Sequence, residues 1–461
     1  MATTHLSQRV LARLLRPFTK VQPEEVLTVV LMTLAAFMLL TAYYLLKTVR
    51  EPLILLQGGA AVKLYARAGQ GLLMVGVVYL YGELARRYGR MKLLGGVFLF
   101  FISNLVLFAV LAGTSVPIGL AFFLWVGVFS YTVVAQFWAL AADIYSDEQG
   151  KRLFPIIGAG SSIGAVIGGL FAKSLVPFGP QVLMGTAVVI LLGCVGVIVW
   201  VERRAIVAAK QEEKNHPDEP MAKEGVWHHL LRDRYLIYIA GLVVFLNWVN
   251  STGEYLLDRT LVVAANDAAT HGASATAYIG AFKADYYVWY NSIGLALELF
   301  VVSRVFKLVG VRNALFVLPI FALFAYGSIV FFPVLAMLRL VKIGENSLQY
   351  SLQDTSRHAL FLVATRVEKF VGKTATDTIA VRIGAIMSTL MVFIGAWLDW
   401  ATSTFAAISV GLAVVWLGFV ILIGREHRRR EASAQDAPSR PSEPSSSVAA
   451  NVAIIASPKS A

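Results

Sequence analysis

The sequence predicts an all-α integral membrane protein in which twelve transmembrane helices form two six-helix pseudo-repeats. Three observations predict it. Of the 461 residues, 57% are hydrophobic and only 15% charged, with a mean hydropathy of +0.69, whereas soluble domains carry roughly 25% charge. Apolar runs recur twelve times, each of about 18 residues or more and so long enough to cross a hydrocarbon core about 30 Å thick as a helix. Short matches also recur in the same order in both halves, at an offset of about 210 to 220 residues, as parallel repeats would leave them.

Residues 1–25 form a basic cytoplasmic N-terminus. Its "MATTHLSQRVLARLLRPFTK" is amphipathic and free of acids, which fits a basic flank before the first span or an organelle transit peptide. The N-terminal bundle, 26–201, holds spans 26–56, 66–84, 93–113, 116–142, 153–176 and 182–201. A cytoplasmic linker, 202–234, follows; its "KQEEKNHPDEP" breaks the apolar pattern and marks the boundary between halves. The C-terminal bundle, 235–424, holds spans 235–257, 285–306, 312–332, 338–364, 374–397 and 405–424. The tail, 425–461, opens on "REHRRR" and becomes rich in Ser, Pro and Ala, the composition of a disordered segment.

Basic residues set the expected orientation. With the N-terminus inside, about 29 of them fall on cytoplasmic segments such as "RRYGRMK" at 86–92, "GKR" at 150–152, the linker and "REHRRR", which places both termini in the cytoplasm. The net charge of +12 is thus spread over a membrane rim and forms no separate basic domain, which argues against nucleic acid as a partner. The single cysteine, Cys194, excludes an intramolecular disulfide and cysteine-rich metal sites. Adjacent His228 and His229 in the linker read as a solvated pair. No nucleophile-base spacing, metal motif or phosphate loop appears in the short soluble segments, so neither an enzyme nor a cofactor is expected.

The recurring matches are "YGRMKLL" at 88 with "VGVRNAL" at 309, "GKR" at 150 with "GKT" at 372, and "SIGA" at 162 with "RIGA" at 382; "REPLIL" at 50 faces "DRTLVV" at 258 with its charge order reversed. Two such bundles facing each other across a central cavity, and rocking to expose it to alternate sides, make a transporter. "GELARRYGRMK" resembles the cytoplasmic loop pattern of the major facilitator superfamily at Gly82, Gly89 and Arg90, with Arg86 standing at the usual acidic position.

Charged residues at membrane depth locate the expected site. A charge at the bilayer centre costs roughly 2.5 to 3.5 kcal/mol on insertion scales, so such residues face protein or water. In "TAYYLLKTVREPLILL" Tyr43, Lys47, Arg50 and Glu51 share one broad helix face, with Pro52 expected to kink or end the helix. That face reads as cavity lining, or as Lys47 and Arg50 snorkelling outward while Glu51 pairs with Lys47. The seventh span aligns Asn247, Asn250, Ser251, Glu254 and Asp258. The eighth carries Glu298. The tenth carries Lys342, Glu345, Asn346, Gln349, Gln353 and Arg357, and the eleventh Lys373, Asp377 and Arg382. Stripes of this length need water or polar partners, and the cations slightly outnumber their partners, which favours an anionic substrate. "GAGSSIGAVIGG" at 158–169 lies in a span with no preceding strand and reads as close helix packing through small residues, not as a dinucleotide fingerprint. "NST" at 250 lies in a span and is no glycosylation site.

These stretches resemble the nucleotide transporters of plastids and obligate intracellular bacteria, which exchange ATP for ADP, and their bacterial relatives. "YYLLKTVREPLIL" looks like that family's first-helix segment, "FWALAADIYSDEQGKRLFPIIGAGSSIGA" like its fourth-to-fifth junction, and "GKTATDTIAVRIGA" like its eleventh-helix motif. Thr48 replaces a usual acid, and Ala385 replaces a lysine common among exchangers, one charge fewer for a phosphate. The resemblance implies a bacterial inner-membrane antiporter in which Lys47, Arg50 and Lys373 contact phosphate oxygens. From the polar stripes, Lys342, Gln349, Arg357 and Arg382 join them as substrate-binding candidates, while Glu51, Glu254, Asp258, Glu345 and Asp377 are candidates for gating or coupling. A proton-coupled carrier of another solute, with Glu254, Asp258 or Glu345 titrating, and a non-transporting scaffold or sensor stay open. The expected partners are a small anion, nucleotide-like, and the lipid bilayer. The oligomeric state is not legible.

Overall fold

A computed structural model describes residues 22, 25–88, 90–209, 233–360 and 375–435. Of these, 92% are helical and none lies in a strand. The helices are α1 (Val26–Arg87), α2 (Arg90–Leu111), α3 (Gly119–Ile144), α4 (Asp147–Leu175), α5 (Pro180–Ala209), α6 (Arg234–Thr270), α7 (Ala275–Phe300), α8 (Val302–Ala314), α9 (Val317–Phe331), α10 (Leu335–Leu348), α11 (Asp354–Leu360), α12 (Val381–Trp397) and α13 (Thr402–Gln435).

Among the described residues seven helices are long and apolar enough to cross a membrane, and the pair α8 and α9, bent by 77°, supplies an eighth crossing. The 62-residue α1 would run about 93 Å if straight, three times the hydrocarbon thickness. It therefore crosses twice. Its backbone breaks at Gly59, where φ is 74°, a left-handed conformation that glycine adopts without a Cβ clash. The remaining crossings are α7, the α10–α11 run and α12, which their charges or their short lengths hide from a hydropathy count. α10 and α11 are joined through a wide π-type turn, Gln349–Gln353, and another, Ala375–Ala380, leads into α12. Such turns concentrate at functional sites. The chain thus forms an all-α membrane protein of twelve helices in two sets of six.

Three expectations are corrected. Pro52 neither ends nor sharply kinks the first helix, which continues to Gly58 before breaking at Gly59. The second crossing resumes at Ala60, not Ala66. The eighth begins at Ala275, ten residues before the expected Asp285, because the charges that interrupt its hydropathy, Lys283 and Asp285, are held in ion pairs.

Small residues set the packing of each half. Gly160, Gly164 and Gly168 fall four apart on one face of α4 and receive α1 at Thr33, Phe37 and Thr41: an added Cβ would lie 2.6 Å from Thr33 Cγ2 at Gly160 and 2.7 Å from the Thr41 carbonyl at Gly168. Gly384 of α12 meets α6 in the same way, a Cβ there lying 2.5 Å from the Val244 carbonyl oxygen. Gly164 to Gly384 is a step of 220 residues and Phe37 to Val244 one of 207. The same contact is therefore built twice, once per repeat. In each half it closes an apolar core, one including Met32, Leu39, Phe122 and Phe129, the other Leu246, Tyr326, Phe405 and Trp416.

Candidate functional site

The halves meet where α1 packs on α6, α7 and α12, and α4 on α7. Folding back at Gly59 returns the second arm of α1 along the first and brings Lys63 to Glu51. There the sequence's isolated charges become one network. Glu51 is fully buried and accepts from Arg50, at 2.7 Å, and from Lys63. Lys63 reaches Asp258 of α6 at 2.6 Å; Asp258 also accepts from Lys283 of α7, whose Nζ is 3.6 Å from Glu51. Two carboxylates and two ammonium groups, one of each sign from each half, form a closed ring. Isolated, each charge would cost several kcal/mol to desolvate. In the ring each has two opposite partners.

Two further links cross between the halves. Arg67 of α1 holds Glu254 of α6 at 2.9 Å, and Lys173 of α4 holds Asp285 of α7 at 2.6 Å, where Arg339 of α10 also binds. Val176 packs 3.2 Å from where a Cβ on Gly280 would stand. Ring, links and packing all lie towards the end of the bundle that carries Gly59 and the α6–α7 turn, and there they join the two halves.

Lys47 is held differently. Its Nζ donates to Tyr290 Oη at 2.9 Å and lies 4.4 Å from the Tyr287 ring centroid, 5.0 Å from that of Tyr44 and 6.0 Å from that of Tyr43. Tyr290 and Tyr44 share a hydroxyl contact of 3.1 Å, and Tyr44 donates to Asn291. Among the described residues no carboxylate lies within ion-pair distance of Lys47. Tyr350 stacks on Tyr290 and leaves over half its surface, 55%, open. Arg382 of α12 reaches the N-terminal half, lying against Gly71 with its guanidinium carbon 5.9 Å from the Tyr131 ring centroid.

The other predicted residues take different places. Lys342 is fully buried inside the C-terminal half, bound to Glu345 at 2.8 Å and to the Asn250 carbonyl, while Tyr326 donates to Glu345 at 2.9 Å. Asn250 donates to Asn346 and Gln349. Arg357 lies 3.4 Å from Asp354 on its own helix. Glu298 is exposed near the end of α7. Lys373 lies outside the described residues; Asp377 sits in the second π-type turn, and its side chain is not described. Glu51 pairs with Arg50 and Lys63, not with Lys47.

Sequence reasoning missed Lys63, Arg67 and Lys283. One signal could have found two of them: Lys283 follows Lys63 by 220 residues, the offset that separates "SIGA" from "RIGA".

Two bundles of six helices, meeting over buried charges supplied by both, define a membrane carrier. The chain belongs to the Major Facilitator Superfamily, whose sequence profile matches residues 26–345. It is a secondary transporter of that kind. No curated protein sequence matches it. Similar solved structures include the POT family transporter PepTSo, with a TM-score of 0.63 at 11% identity over 87% of this chain and 98% of that one, and the nucleoside transporter NupG, with a TM-score of 0.61 at 11% identity over 85% and 98%. A bacterial homologue of the human lysosomal transporter Spinster, inward-facing and unoccupied, matches with a TM-score of 0.53 at 13% identity over 89% and 99%. At these identities the likeness is one of fold.

Proposed function

We propose that the protein exchanges nucleotides of the ATP and ADP kind, or a related organic anion, by alternating access, from a bacterial inner membrane with both termini cytoplasmic. The observation that carries this reading is Lys47: an ammonium group held by tyrosine rings and hydroxyls, with no described carboxylate to neutralise it. Where the halves meet, Lys47, Arg50, Lys63, Arg67, Lys283 and Arg382 stand against Glu51, Glu254 and Asp258. The surplus is cationic. Lys47 and Arg382 contact the anionic groups, Arg50 adds to their field, and the open face of Tyr350 offers a stacking surface for a planar ring.

Lys342 and Glu345 neutralise each other and serve as internal struts, with Arg357 and Gln349 at the margin of the site. Lys373 keeps the phosphate-contacting role that the family resemblance gives it. The ring of Glu51, Lys63, Asp258 and Lys283, with Glu254 and Arg67, is the gate, closed here on the side away from the termini. The experiment is uptake of labelled ATP by proteoliposomes, empty or preloaded with ADP. Uptake confined to loaded vesicles supports exchange; uptake driven by a pH gradient alone replaces it with proton coupling; no substrate-dependent flux in folded protein removes transport of nucleotides.

A further inference from the structure

Helix α2 packs on α5 and, through Phe101 and Phe108, on the α3 rings Phe122, Trp125 and Phe129. Between its other side, α3 and the second arm of α1 lies a groove of about 830 Å³, within the roughly 300 to 1,000 Å³ of ligand pockets. Leu73, Val97, Phe100 and Phe108 give it an almost wholly apolar wall, and Lys92 and Tyr88 stand at one end. From Lys92 to Phe108 α2 rises about 24 Å, longer than one leaflet of a hydrocarbon core about 30 Å thick.

A second cavity, of about 220 Å³, joins the Lys92 end and shares Tyr81, Tyr88 and Leu93 with the groove; Gln136 and Asp143 line it. Gln136 is 7% exposed, and neither its Nε2 nor its Oε1 has a hydrogen-bond partner. One helical turn earlier, Thr132 lines the groove with an unpartnered Oγ1. Unpaired polar groups beside hydrocarbon are costly, and these two stand about 6 Å apart along α3. A purely apolar filler would leave them unsatisfied.

We infer that this groove is a binding site for a glycerophospholipid. An acyl chain lies between α1, α2 and α3. The phosphate meets the Lys92 ammonium and the Gln136 amide, and an ester carbonyl accepts from Thr132. The lipid fills the side of α2 that faces the second arm of α1, where protein contacts are sparse. Charge complementarity selects the occupant, since Lys92, the one cation among the described lining residues of the groove, sits at its membrane-surface end.

The test is native mass spectrometry of the detergent-purified full chain with added dioleoyl phosphatidylglycerol, and it is independent of the transport substrate. Wild type is expected to retain one phospholipid. Gly96→Phe projects a ring into the groove from a Cβ that itself meets nothing within 4 Å, and is expected to cut retention at least tenfold. Should Gly96→Phe fail to fold, the near-isosteric double variant Thr132→Val with Gln136→Leu carries the test and is expected to lose retention likewise. Equal retention by wild type and the folded variant, retention of a fatty acid but no phospholipid, or no retention by wild type would each overturn the inference.

Discussion

Glu51 and Asp258 occupy equivalent positions of the two repeats, 207 residues apart, and both accept a hydrogen bond from the same ammonium group, that of Lys63. The other ammonium, Lys283, is the repeat equivalent of Lys63 and faces the same two carboxylates. The ring therefore joins the repeats through equivalent residues, and any rocking that parts the halves at this end has to break it.

This arrangement predicts coupling. Lys63→Met leaves Glu51 with Arg50 and Asp258 with Lys283, so the protein folds but loses stability, by about 3 kcal/mol or more if the buried carboxylates are left undercompensated. Adding Asp258→Asn removes one of those charges and is expected to recover part of the loss. A double-mutant cycle by thermal melting in detergent should give a coupling of about 1 to 3 kcal/mol. Simple additivity would show that the contact does not hold the closed end.

The tyrosine box predicts that the ring faces, not the hydroxyls, of Tyr287 hold Lys47. Tyr287→Phe keeps a ring 4.4 Å from the ammonium and should preserve uptake. Tyr287→Leu removes an attraction of about 0.5 to 2 kcal/mol and should reduce uptake severalfold. Lys47→Gln removes the charge and should lower uptake tenfold or more in protein that still elutes as wild type on gel filtration. Normal transport by Lys47→Gln would take Lys47 out of the site.

The repeated glycine contact predicts matched lesions in the two halves. Gly164→Leu and Gly384→Leu each drive a side chain into the backbone of the facing first helix of its repeat, at Phe37 and Val244, and backbone cannot move aside as a flexible side chain can. Both should lower the melting temperature sharply, since overpacking alone costs about 1 to 3 kcal/mol. Gly158→Ala, with nothing within 4 Å, should be neutral.

How legible all this was in the sequence depended on distance along the chain. The helices and the small-residue packing of 158–169 could be read because hydropathy and i, i+4 spacing are local. The charged face of Lys47, Arg50 and Glu51 was likewise visible, as was its kinship with the stretch at 258. The partners were not, because Lys63 lies where the apolar run tapers and meets Glu51 only through the reversal at Gly59. Lys283 falls outside the expected eighth span, which starts at 285, because two ion-paired charges depress the hydropathy of α7. Lys342 reads as a cavity residue from its place on a polar stripe, but Gly253 lets the lysine turn inward under Tyr326, where a Cβ would otherwise lie 3.0 Å from Lys342 Cδ.

The packing of Val176 on Gly280 gives a direct test of motion. A Cβ on Gly280 would stand 3.9 Å from the Val176 Cβ, inside the roughly 3.5 to 4.5 Å that a disulfide requires. The chain's single native cysteine, Cys194, is fully buried and will not compete. Val176→Cys with Gly280→Cys should therefore crosslink under mild oxidation and pin the sealed end shut. If that end must open once per cycle, oxidation abolishes uptake and reductant restores it, while each single variant transports normally under both conditions. Unimpaired uptake by fully crosslinked protein would mean that α4 and α7 stay together throughout transport, and that the halves part elsewhere.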